Sequence, residues 1–125
     1  MTPPKHMRLP VKADEYGMYV WDADHHMLLD AAHVGSHDRM QAVARFAARA
    51  LNGACGHGER PGRLDGIAYP VRVNEAGTEI VDAAGALVLR VRGWGRLQYL
   101  GETAGIEAQR NIGIAFAEAI NATTA

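Results

Sequence analysis

Glu79-Ile80-Val81-Asp82-Ala83-Ala84-Gly85-Ala86-Leu87-Val88-Leu89-Arg90-Val91 decides the fold. Leu87, Leu89 and Val91 alternate with Val88, Arg90 and Arg92, and Ile80 alternates with Glu79, the period of two that belongs to strands. Between them, Asp82 to Gly85 places Asp first and Gly last in a four-residue turn, so the two strands form an antiparallel hairpin. Upstream, Val71 and Val73 flank Arg72 and predict one more short strand. Downstream, residues 105–121 are Ala-rich and carry Ile112, Ala115, Phe116, Ala119 and Ile120 on one helical stripe. The unit is βββα.

The same unit stands earlier in the chain. Pro10, Val11, Glu15, Gly17, Asp22, Ala23 and Leu29 return as Pro70, Val71, Glu75, Gly77, Asp82, Ala83 and Leu89 at an offset of 60. Ala48, Ala50 and Asn52 return as Ala117, Ala119 and Asn121 at an offset of 69, so the second half carries nine extra residues, placed near 93–101. In the first half His25 stands where Gly85 stands in the second, which is tolerable because His is among the residues enriched at positive φ. The first helix is expected over 38–52, capped by Ser36 and stopped by Asn52-Gly53; Thr103 is the expected cap of the second.

These readings predict an α+β protein of two tandem βββα units related by pseudo-symmetry, with antiparallel sheets each covered by one helix. The expected organisation is a flexible N-terminus (1–9), a first unit (10–52), a flexible Gly/Arg-rich linker (53–68), a second unit (69–121) and a tail (122–125). A chain of 125 residues holds one small domain, and units of half that size need each other, or a second chain, to cover their apolar faces.

The 13 basic and 14 acidic residues give a net charge of -1, which argues against general affinity for nucleic acid. The lone Cys55 forms no internal disulfide, consistent with a reducing compartment. The N-terminal residues carry no apolar run of the kind found in a signal peptide, and no segment approaches a membrane span. A cytoplasmic protein with no membrane partner is expected. Arginine outnumbers lysine 11 to 2 and alanine dominates, a bias of GC-rich bacterial or phage genomes.

Pro70-Val71-Arg72, Ile80 to Ala83 with Gly85, Leu87 and Val88, and Ile114 to Asn121 make up a pattern that resembles small bacteriophage and prophage accessory proteins. The first half departs from it at His25, Arg45 and Arg49. The resemblance covers nearly the whole chain but consists of strand, turn and helix residues, so it carries over no catalytic residue. It implies an accessory protein of phage type, a class in which anti-CRISPR and other anti-defence proteins are frequent.

Three sets of residues are candidates for chemistry. Strand alternation places Tyr19, Trp21 and Leu28 on the face away from the helix, an apolar aromatic patch of the sort covered by a partner or by a second copy in a homodimer; the inserted segment adds Trp94 and Tyr99. Arg72, Arg90, Arg92 and Arg96 offer an alternative, a basic face for RNA or DNA with aromatic stacking nearby. His33 and His37, among several carboxylates, offer a further alternative, a metal site. The spacing of His33 and His37 around Gly35 and Ser36 does not put them on one helical face. Ser36 beside His37 and Cys55 near His57 lack an orienting third group for nucleophilic catalysis, and the glycines of 53–58 lack the Lys-Ser/Thr ending of a phosphate loop. The expectation is a non-enzymatic protein without cofactor that binds and inhibits a host protein assembly.

Overall fold

The computed structural model describes residues 1–16 and 18–124. Three short strands, β1 (Lys12–Ala13), β2 (Tyr19–Trp21) and β3 (Met27–Asp30), precede helix α1 (His37–Ala54). Three more, β4 (Arg72–Val73), β5 (Glu79–Val81) and β6 (Leu87–Val91), precede a short helix α2 (Trp94–Leu97), a 3-10 turn (Gln98–Leu100) and helix α3 (Glu102–Asn121). The protein is α+β, but there is one sheet where separate sheets were expected. β3 pairs antiparallel with β6, joining the halves in a six-stranded sheet of order β1-β2-β3-β6-β5-β4. The pairing of β3 with β6 leaves only the two-residue strands β1 and β4 as edges, and short edges carrying Lys12 and Arg72 resist unwanted pairing.

Both long helices lie on one face. α1 covers β1 and β2, α3 covers β4 to β6, and the helices touch each other. Val20, Leu29, Ile80, Leu89 and Val91 point into this layer against Leu51, Ile112, Phe116 and Ile120, all buried. Gly113 is a point of close approach: a Cβ there would lie 2.9 Å from Val91 Cγ2, so glycine lets α3 settle on the sheet despite its cost in helix propensity.

Two turn carboxylates hold the hairpins. Asp22 accepts from the amides of Arg8, Asp24 and His26 at 2.9–3.1 Å; Asp82 accepts from those of Ala68, Ala84 and Ala86 over the same distances. His25 and Gly85 take positive φ, 64° and 86°, at the last place of each turn, as expected from the turn chemistry. Asn52 and Asn121 clamp each helix to the start of its own half. Their side-chain amides accept from the N–H of Val11 and Val71 and donate back to the carbonyls of the same residues, at 2.7–2.9 Å.

Several expectations require correction. Asn52 does not stop α1, which runs on to Ala54, because its side chain is engaged by Val11 and Gly53 is compatible with helix. Thr103 lies inside α3, whose N-cap is Gly101, whereas Ser36 caps α1 by accepting from the Arg39 amide at 3.2 Å. Of the segments expected to be flexible, 1–9 and 53–68, the second begins within α1, and both set several side chains against the core. Met7 is buried, Leu9, Leu64, Ile67 and Tyr69 lie against the core, and the Met1 amino group donates to the Ala54 carbonyl at 3.2 Å. Apolar side chains in these segments fill the flanks of the helical layer that the sheet alone leaves open.

Candidate functional site

Because both long helices occupy one face, the other is left open by them and is built from alternate strand residues. Register places Tyr19, Asp30, Arg90 and Glu79 in one row across four strands. Lys12 stands opposite Trp21 at one edge and Arg72 opposite Val81 at the other. Tyr19 and Trp21 meet edge-on, ring centroids 6.3 Å apart. His25, turned back by its positive φ, stacks on Trp21 at 4.5 Å with planes 7° apart. The indole N–H of Trp21 is buried and has no hydrogen-bond partner among the described residues. An unpaired buried donor is costly, and the three-ring cluster around it is the most distinctive feature of this face. Sequence spacing located Tyr19 and Trp21; it gave no sign of the His25 stack, which depends on the turn conformation.

Leu28 does not belong to the patch. Val20 pairs with Leu29 but Trp21 with Met27, a bulge that leaves Leu28 as the extra residue. It is 0% exposed and joins the core. The same irregularity between Ile80 and Val81 buries Val88. A bulge interrupts the alternation, so simple counting placed the buried Leu28 in the exposed patch.

Trp94 borders the sheet from the inserted segment, as the first residue of α2. It lines a cleft of about 760 Å³ with Glu79, Arg90, Arg92, Ile106 and Gln109, between the end of β6 and α3. The close seat of its ring requires Gly105, where a Cβ would lie 2.7 Å from Trp94 Cζ3. Tyr99 sits outside this cleft, 73% exposed on the 3-10 turn.

The four arginines are not gathered into one basic surface. Arg92 forks onto the buried carboxylate of Asp30, at 2.7 and 3.3 Å. Arg90 lies in register between Asp30 and Glu79, and Arg72 donates to the Asp82 carbonyl at 3.2 Å. Arg96 leaves the face, donating to the His6 carbonyl at 2.6 Å and so fixing the N-terminal strap. The row is therefore mixed in charge.

Neither His33 nor His37 belongs to a group of three or more metal-ligating side chains among the described residues. His33 is exposed at φ 72°, and His37 Nε2 lies 3.0 Å from Gln41 Nε2. Among the described residues, the group that brings ligand atoms within 4.8 Å of one another is Asp22, Asp24 and His26. Its oxygens are already occupied: Asp22 by the turn amides and by His26 Nδ1 at 3.2 Å, Asp24 by Arg8 at 3.2 Å. Asp82 fills the same turn role with no histidine, so turn formation accounts for Asp22. Burial alone would raise the Asp22 pKa, but the His26 and Arg8 amides and the His26 ring together hold it below the ordinary carboxylate value. Asp82 is lowered chiefly by the Ala68 and Ala86 amides. Burial pushes the Cys55 thiol up, which disfavours the reactive thiolate.

No family model, curated protein or solved structure matches the chain. Among the described residues no helix is long and apolar enough to cross a membrane.

Proposed function

We propose that this protein is a non-enzymatic binding module that captures a host protein assembly on its open sheet face, as phage-type accessory and anti-defence proteins do, in the cytoplasm of a bacterial host; an anti-CRISPR role falls within this reading. The observation that carries it is the Tyr19–Trp21–His25 cluster: three packed rings on the open sheet face, beside a row of both charge signs. Aromatic anchors ringed by polar groups are what protein interfaces use, whereas nucleic acid calls for cations free to meet phosphates. The N–H of Trp21 is a donor without a partner among the described residues. The scaffold is read as two copies of one βββα unit, supported by the turn and Asn clamps that recur at offsets of 60 and 69.

The test is capture from host lysate after nuclease treatment, with identification by mass spectrometry. Trp21→Ala is expected to weaken capture of one defined assembly about 30-fold, the loss of about 2 kcal/mol typical of an aromatic anchor, with an unchanged circular dichroism spectrum. Adding Trp94→Ala should abolish it. Full capture by the double variant would overturn the placement of the surface, and loss of all captured material with nuclease would transfer the function to nucleic acid.

A further inference from the structure

A second surface lies on the helical side of the molecule and is independent of the sheet face. The outward stripe of α1 carries Arg45 and Arg49, one turn apart. The strap at 60–64 runs alongside and adds Arg60 and Arg63, with the Arg60 backbone seated against Gly53: a Cβ there would come within 2.9 Å of Arg60 N and Cα. Between helix and strap is a groove of about 460 Å³ lined by Ala42, Arg45, Phe46, Arg49, Arg63 and Leu64, with Pro61 and Gly62 on the strap side. No carboxylate lines it. Among the described residues Arg45, Arg49 and Arg60 make no ion pair; Arg63 donates through Nε to the Thr123 carbonyl at 3.1 Å and lies over the Tyr69 ring at 4.3 Å. In a chain of net charge -1, this is a local concentration of unneutralised cations. The corresponding places on α3, at an offset of 69, are Ile114 and Glu118, so the helical frame does not require arginine there.

We infer that this groove binds an acidic segment of a protein partner, one that alternates carboxylates with apolar side chains. The cations supply charge complementarity, and guanidinium groups pair with carboxylates in a fixed two-pronged geometry. The floor selects the class: Ala42 and Leu64, both half-buried, offer apolar surface between the arginines, which a leucine or phenylalanine side chain buries and a sugar-phosphate backbone does not. Phe46 is itself buried, leaving no exposed ring on which a base would stack.

Fluorescence anisotropy on the full chain tests this with three labelled probes: a peptide carrying leucine and glutamate at helical spacing, a peptide of equal charge with serine in place of leucine, and oligothymidylate. The leucine–glutamate peptide is expected to bind most tightly, to weaken as salt is added, and to lose at least about tenfold in affinity in Arg45→Glu/Arg49→Glu. Arg45→Gln/Arg49→Gln, which removes charge without reversing it, should lose affinity in the same direction. Trp21→Ala should bind the peptide normally, which separates this groove from the sheet face. Unchanged binding by both arginine variants would overturn the inference, as would equal binding of the serine peptide. Tighter binding of oligothymidylate, lost in the same variants, would overturn it in favour of nucleic acid.

Discussion

Replacing Asn121 by alanine removes one side chain and leaves two backbone groups without partners. The Asn121 amide accepts from Val71 N–H at 2.7 Å and donates to Val71 C=O at 2.9 Å, and Val71 is 3% exposed, so water has little access to take over either role. Each lost hydrogen bond costs about 1 kcal/mol net and each stranded buried group about 1–3 kcal/mol more, of which partial solvation recovers some. Alanine returns about 0.6 kcal/mol through its better helix propensity. The expected loss is about 3 kcal/mol, measured by urea denaturation, with a fall in Tm of about 10 °C for a domain of this size. Asn111 supplies the control: it lies on the same helix, is exposed, and makes no side-chain hydrogen bond among the described residues, so Asn111→Ala should stay within about 0.5 kcal/mol of the parent. Asn121→Asp keeps the acceptor but turns the donor into a second oxygen facing the Val71 carbonyl, and should cost at least as much at neutral pH. A loss below about 1 kcal/mol in Asn121→Ala, or equal losses at 111 and 121, would refute the clamp.

Acid sensitivity and the bulge give two more outcomes. Asp22 and Asp82 both titrate below their ordinary value, so their contribution to stability is complete above the unfolded-chain value and drains away as pH falls through the lower folded one; Asp22→Asn/Asp82→Asn should flatten the stability profile between roughly pH 5 and pH 2, and an unchanged slope in denaturation series across that range would refute the role. Leu28→Ala should cost about 3 kcal/mol, as for a fully buried leucine, and a near-neutral result in the same denaturation assay would return Leu28 to the exposed patch.

What was legible in the sequence is what depends on near neighbours. The turn at Asp82 to Gly85 and its counterpart at His25, the Ser36 cap and the helical stripes all follow from residues within a turn or two of each other. What was not legible depends on distant partners. The role of Asn52 is set by Val11, 41 residues away, so its amide chemistry read locally as a helix stop. The bulges at Leu28 and Val88 belong to the register between strands and leave no mark in one strand's alternation. Arg96, an ordinary basic residue in a list of arginines, is committed to the carbonyl of His6, 90 residues away. The same limit applies to the candidate site: Tyr19 and Trp21 followed from alternation, whereas the His25 stack and the α1 groove required the turn and the strap to be placed in space.

The positions that the two halves share serve the frame. Positions identical at the offsets of 60 and 69 include Val11 and Val71, Asp22 and Asp82, Asn52 and Asn121, and each is engaged in a hydrogen bond that builds a turn or ties helix to strand. Where the halves differ, the residue in one of them is dispensable to that frame. Val81 occupies the place of Trp21, Gly85 that of His25, and Ile114 and Glu118 those of Arg45 and Arg49; the second half also carries the insertion that brings Trp94 to its cleft. A glycine is the cheaper residue at positive φ, so His25 at φ 64° costs backbone strain, against which stands its stack on Trp21. An indole N–H left without a partner adds to that cost. Both departures fall on the open sheet face, and the arginines fall together on the outside of α1, the two surfaces proposed above to meet partners.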